Sequence, residues 1–107
     1  MTGFSTIDSQ SLIALRSERG CELIDVRTDQ EILRGTIEGA RHIPLHLLPQ
    51  RFAEIGRDLP VVFFCQSGAR SMQASAFLAE RGWTEVYNLS GGIMAWARVG
   101  LPIATRD

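Results

Sequence analysis

Two hydrophobic periods alternate along this chain. Short apolar-rich runs lie at Glu22-Leu23-Ile24-Asp25-Val26, Val61-Val62-Phe63-Phe64 and Glu85-Val86-Tyr87-Asn88-Leu89, separated by longer stretches with helical spacing. The runs have strand length, and the unbroken apolar character of Val61 to Phe64 is expected of a strand covered on both faces. Phe4 to Ile7 reads as a short edge strand, and Arg41 to Ile43 as a small strand within the loop from Thr36 to Pro44. The helical stretches carry start and stop signals. Asp8 caps a helix from Ser9 to Arg19, with Ile7 and Leu12 at the staple positions and Gly20 as its stop. Thr28 caps a short helix carrying Glu31, Ile32 and Leu33 and ending at Gly35. Leu48 to Ile55 reads as one helix with Pro49 in its first turn. Ser71 caps a helix to Arg81 that Gly82 ends, and Gly91-Gly92 lead into a last helix over Ile93 to Val99. Strands alternating with helices predict an α/β fold, with a mainly parallel sheet covered by helices on both faces.

Composition narrows the classes. The 107 residues suffice for one domain, residues 1–107, around one core, and no linker, repeat or low-complexity tract divides them. A hydrophobic fraction of 45% and a charged fraction of 21% are those of an ordinary globular protein. The formal net charge of −1 gives no reason to expect nucleic acid or an anionic membrane as partner. All 11 basic residues are arginine, which removes Schiff-base and P-loop lysine chemistry. Cys21 and Cys65 match no zinc spacing, so no metal is expected. No apolar stretch reaches membrane-spanning length, and Met1-Thr2-Gly3-Phe4-Ser5 lacks the blocks of a signal peptide. A reducing cytoplasm, which keeps a thiol free, is the expected compartment.

The candidate chemistry sits at Cys65. It follows the apolar strand Val61–Phe64 and opens Cys65-Gln66-Ser67-Gly68-Ala69-Arg70-Ser71, after which a helix begins. Ligands of parallel sheets bind beyond the carboxyl ends of strands. At a helix N-terminus, converging N–H groups and the helix dipole both favour a thiolate. A thiolate or persulfide held without a metal needs successive backbone N–H groups curled around it. Ser67, Gly68 and Ala69 suit such a curl, and Gly68 takes positive φ without strain. Arg70 closes the loop with a permanent charge and planar donors. A lone cysteine ending a core strand is ordinarily an inert buried thiol; the Gly, Arg and Ser behind this one favour function.

Four segments in order resemble the rhodanese family of sulfurtransferases. They are Asp25-Val26-Arg27 followed by Glu31, Gly35-Thr36-Ile37-Glu38-Gly39-Ala40 with Ile43-Pro44, the loop Cys65 to Ser71, and Asn88-Leu89-Ser90-Gly91-Gly92-Ile93 through Trp96, Gly100 and Pro102. Thr36 departs from the family, which usually has His there, in a segment that is structural in the family. The resemblance implies a rhodanese-like fold of five parallel strands. It also implies that Cys65 takes the outer sulfur of a donor such as thiosulfate, becomes a persulfide, and passes the sulfur to cyanide or a thiol. The catalytic residue is then Cys65, Gln66 to Ser71 form the substrate loop, and the covalent persulfide replaces any cofactor. A thiol redox or sulfur-relay protein is a further possible partner.

Two other classes compete. Cysteine-dependent phosphatases and arsenate reductases on the related fold have one residue more between Cys and Arg than the four that separate Cys65 from Arg70. Their wider loop takes a tetrahedral oxyanion, whereas the shorter one favours a sulfur-sized cargo. A non-catalytic binding or regulatory module often lacks the cysteine, which this chain keeps. Asp25 and Arg27 are read as an ion pair supporting the site, with Glu31 as a further member; a structural salt bridge is the simpler role. His42 and His46 are read as surface loop residues, Trp83 and Trp96 as core or rim, and Arg34 and Arg41 as solvated surface. Cys21 begins a strand at the end away from the carboxyl edge. Five residues at ~3.3 Å rise place it ~16 Å from Val26, beyond disulfide reach of a thiol on that edge.

Overall fold

A computed structural model describes residues 3–105; Met1 and Thr2, part of the opening segment read above, lie outside them. Five strands form one sheet: β1 Ser5–Ile7, β2 Glu22–Asp25, β3 Arg41–His42, β4 Val61–Phe64 and β5 Val86–Leu89. Their order is β1-β5-β4-β2-β3, and every strand pairing is parallel. β4 is therefore the central strand, and β1 is an edge, as its shortness predicts. The helices are α1 Ser9–Glu18, α2 Asp29–Ile32, α3 Leu48–Arg51, α4 Ala69–Glu80 and α5 Gly92–Arg98. The protein thus has the predicted architecture, five parallel strands between helical layers.

The period of two along β4 divides the core. Val61 and Phe63 pack with Ala74 and Leu78 of α4 and Leu48 of α3, while Val62 and Phe64 pack with Leu12 of α1 and Ile93 and Trp96 of α5. All four β4 side chains are 0% exposed. Complete burial of such side chains stabilises the fold by about 1.5–3 kcal/mol each. Cys65 continues the odd-numbered face and so points toward α4.

Most boundaries follow the local signals. Asp8 accepts the Ser11 N–H at 2.8 Å as the α1 cap, and Gly20 takes φ 80 beyond its end. Thr28 and Glu31 form a full capping box on α2. Two expectations need correction. The helix read over Leu48 to Ile55 is only α3, flanked by 3-10 turns at Leu45–Leu47 and Phe52–Glu54. Pro49 sits in the first turn, where its missing N–H is tolerated; the helix ends because the chain tightens after Arg51, with Ile55 N–H donating to Phe52 O at 3.0 Å and Ile55 turning extended. The second correction is the cap of α4, which is Gly68 rather than Ser71; Ser71 is the third residue of the helix. Trp83 and Trp96 are buried, and their indole N–H groups donate to Gly56 O and Pro102 O.

Leu12 is fully buried, whereas its neighbour Ile13 is 38% exposed. Leu12→Ala should cost about 2–5 kcal/mol in urea unfolding, and Ile13→Ala within about 0.5 kcal/mol of zero. Equal losses would mean that α1 docks on another face.

Candidate active site

β4 delivers Cys65 to the carboxyl edge of the sheet with its side chain aimed at the first turn of α4. The residue is 1% exposed. Gly68 reverses the chain at φ 120 and occupies the cap position of α4, yet has no side chain to cap with. The Cys65 sulfur does that work. Gly68 N–H donates to Sγ at 3.1 Å and Ser71 N–H at 3.4 Å, and the Ser71 hydroxyl lies 3.3 Å away. Ala69 and Arg70, at the first two helical positions, have no carbonyl of their own helix to donate to. Their N–H groups add to the positive end of α4.

The loop is held so that its carbonyls face away. Cys65 O accepts from Ile93 N–H at 2.9 Å and Gln66 O from Met94 N–H at 3.1 Å, both at the start of α5. Gly68 O accepts from Met72 N–H and the Ser71 hydroxyl, each at 3.1 Å. Gly92 makes this approach possible. It has φ 60, and a Cβ there would lie 2.5 Å from both Cys65 O and Gln66 O. Two helix starts thus divide the labour: α4 faces the sulfur, and α5 absorbs the carbonyls.

This geometry sets the acidity. Burial alone pushes the Cys65 thiol up, but the Ser71 hydroxyl and the N–H groups of Ser71, Gly68 and Ser67 outweigh it and hold the thiol below its ordinary value. Burial pushes the Cys21 thiol up, with no such donors to reverse it. Both cysteines are free. Glu22 stands opposite Val61 in the sheet, which puts Cys21 at the end away from Cys65.

Around the loop lie two ion pairs of different kinds. Arg70 donates both Nη groups to Glu31, at 2.6 and 2.8 Å, which joins α4 to α2 at the mouth of the site. The Arg70 hydrogen bonds, helped by Thr28, hold the Glu31 carboxyl down at about 2. Asp25 and Arg27 form a separate, buried pair that Glu31 does not join. Arg27 Nη2 reaches Asp25 Oδ2 at 2.8 Å and Gly35 O at 2.6 Å, and Thr36 donates its hydroxyl to Asp25 at 2.9 Å. Thr36 also exchanges backbone hydrogen bonds with Ala104. The buried pair therefore fixes the end of β2 and the chain around Gly35, a scaffold for the site.

The remaining candidates separate clearly. His42 is not a loop residue: it lies in β3 and its Nε2 meets Arg27 O at 2.7 Å, completing the shell around the buried pair. His46 is exposed, and Arg41 pairs with Glu54 and Glu22. Arg34 is exposed beside a cleft of about 190 Å³ that Gln66, Met94 and Ile103 also line. Sequence reasoning missed Asn88 as a site residue. It is 4% exposed on β5, and its side-chain oxygen contacts the Ser71 hydroxyl. Its signal was an amide inside an otherwise apolar strand.

Such a site defines an α/β protein that surrounds one buried cysteine sulfur with hydrogen-bond donors. Residues 8–99 match the rhodanese-like domain. A sulfurtransferase of Allochromatium vinosum is 51% identical over 102 residues, covering 94% of this chain and 95% of the relative. The thiosulfate sulfurtransferase GlpE of Stutzerimonas stutzeri is 35% identical, covering 90% of this chain and 87% of its own. The crystal structure of a rhodanese-related protein from Thermoplasma volcanium superposes with a TM-score of 0.88 at 26% identity, over 96% of this chain and all of that one. The chain belongs to the rhodanese-like family of sulfurtransferases.

Two outcomes test the geometry. The Glu31–Arg70 pair contributes stability that is complete above the unfolded Glu value of 4.5 and is lost as pH falls toward about 2. Unfolding midpoints should therefore drop across that window, and Glu31→Gln should flatten the drop. An unchanged slope would sink the assignment. Gly92→Ala, which sets a methyl against two loop carbonyls, should raise the Cys65 pKa and lower stability by about 1–3 kcal/mol. A variant with the wild-type thiol titration would show that α5 does not hold the loop.

Proposed function

We propose that the protein carries sulfane sulfur on Cys65, taking it from thiosulfate or a similar donor and passing it to cyanide or a cellular thiol. The observation that carries this reading is the seat of the Cys65 sulfur as the cap of α4, among inward-facing N–H groups. A thiolate held this way needs no general base. It attacks the outer sulfur of thiosulfate: a bond forms between the two sulfurs, the bond from outer sulfur to the sulfonate breaks, and sulfite leaves with the electron pair. Three negative charges enter, and three remain on the persulfide and sulfite. The acceptor anion then attacks the outer persulfide sulfur and regenerates the Cys65 thiolate. This is covalent catalysis in two steps, and ping-pong kinetics are expected.

Four further features support the reading. The loop from Cys65 to Arg70 is short, and the name of the Stutzerimonas relative specifies thiosulfate. Arg70 is engaged with Glu31 by two hydrogen bonds rather than turned inward to grip an oxyanion, which disfavours a phosphatase. The cleft beside Gln66 gives an acceptor an approach to the loop from the side of Arg34. A thiol redox or sulfur-relay protein in a reducing cytoplasm fits the acceptor role, and the cycle as written uses no resident cofactor.

Incubation with thiosulfate should add one sulfur atom to the intact mass, removable by cyanide and absent in Cys65→Ala. Cys21→Ser should keep turnover within about twofold of wild type, since Cys21 lies beyond disulfide reach. Hydrolysis of aryl phosphates without any mass gain would reverse the assignment to a phosphatase.

A further inference from the structure

The active loop contains one proton for which three groups compete. Ser71 is fully buried, and its hydroxyl lies 3.3 Å from Cys65 Sγ, 3.1 Å from Gly68 O and in close contact with Asn88 Oδ1. A hydroxyl has one O–H to give and two lone pairs to offer. When that proton goes to Asn88 or to Gly68, only lone pairs face the sulfur. Such an arrangement suits a neutral thiol, which then donates its S–H to Ser71. A thiolate has no proton and requires the Ser71 O–H itself.

Asn88 is able to serve both states. Its amide presents an oxygen and an NH₂ of nearly equal shape, and a half-turn of the side chain exchanges them. With the NH₂ toward Ser71, the amide fills a lone pair of the hydroxyl and leaves its proton for the sulfur. The fold supplies the setting. Asn88 sits on β5 on the same face as Val86, against α4, where an apolar residue would otherwise pack. Its Nδ2 has no hydrogen bond to the described residues, so a half-turn of the amide exchanges only the contact with Ser71. The backbone beneath is fixed, because the Ser75 hydroxyl donates to Ser71 O at 2.8 Å. The charged groups around the site are already paired: Arg70 of α4 with Glu31 of α2, and Asp25 with Arg27 beyond β2. β5 brings no charged side chain, and α5 brings only Arg98, in its last turn.

We propose that Asn88 is a positioning residue whose amide turns with the ionisation of Cys65, accepting the Ser71 proton beside the thiol and donating to Ser71 Oγ beside the thiolate. The relay deepens the reading of Cys65 as a sulfur carrier and rests on it for its purpose. Its readout does not need sulfur transfer.

The test is the ultraviolet titration of the Cys65 thiolate in folded protein, in a Cys21→Ser background. Asn88→Ala removes one neutral hydrogen bond to Ser71 from each protonation state, so it should change the thiolate fraction at a fixed pH below the midpoint by no more than about threefold. Asn88→Asp is nearly isosteric but, when ionised, only accepts. It should raise the midpoint further than Asn88→Ala does, partly by like-charge repulsion of the thiolate, which acts in any role, and partly by taking the Ser71 proton, which only the relay predicts. In Ser71→Ala, adding Asn88→Asp should therefore raise the midpoint less than it does with Ser71 present. This comparison does not depend on Asn88→Ala folding. A wild-type midpoint in Asn88→Asp, or equal shifts with and without Ser71, would overturn the relay. Shifted midpoints in a protein that never acquires sulfur would overturn the carrier reading and leave the relay standing.

Discussion

A cysteine buried at the end of a central strand can ionise only where hydrogen-bond donors match the charge, because the cost of leaving it unmatched exceeds the worth of most single interactions in a small domain. The rest of the site follows from that constraint at Cys65. The donors are backbone N–H groups, since the helix that begins after Gly68 leaves its first N–H groups without carbonyl partners. A side-chain cap would have consumed them. Glycine at the cap position leaves them for the sulfur, and the curl that results forces the loop carbonyls outward, where α5 receives them. Gly92 belongs to the same constraint although it is distant in sequence, because only a residue without Cβ allows α5 to come so close.

The two ion pairs show the same economy in different surroundings. Asp25 and Arg27 are 0% and 3% exposed at the side chain, and removing either would strand a buried charge. Their partners are backbone and Thr36, so the pair stiffens the edge of the sheet without touching sulfur. Glu31 and Arg70 are partly exposed, so water weakens their attraction, and their value lies in position: they tie α2 to α4 across the mouth. An arginine committed in this way to a carboxylate borders the loop rather than filling it, which leaves the interior to backbone donors and to Ser71.

Much of this was legible along the chain. The parallel α/β fold followed from alternating periods, because burial on both faces demands continuous apolar strands and burial on one face demands helical spacing. The caps at Asp8 and Thr28 and the stop at Gly20 are local interactions, settled within five residues. Cys65 could be singled out because a strand end, a glycine and a helix start stood next to one another. The family resemblance rested on the same short segments.

Other features depended on the approach of distant segments, which local patterns do not specify. Gly68 displaced Ser71 as the cap because the sulfur, three residues earlier, could take that role once the loop had curled. α3 gave way to a 3-10 turn at Phe52–Glu54, where Phe52 packs edge-on against Phe77 and Trp83, contacts that spacing does not show. Glu31 chose Arg70 over Arg27 because the sheet order brings α2 beside α4, and His42 reached the Arg27 carbonyl because β3 pairs with β2. Asn88 illustrates the division most clearly: in sequence it is a polar interruption of a strand, and only the packing of β5 against α4 places its amide on the Ser71 hydroxyl. Sequence by itself determined which elements form and where a thiol emerges, since those depend on neighbouring residues; tertiary structure decided which groups face that thiol, since that depends on the distances between elements.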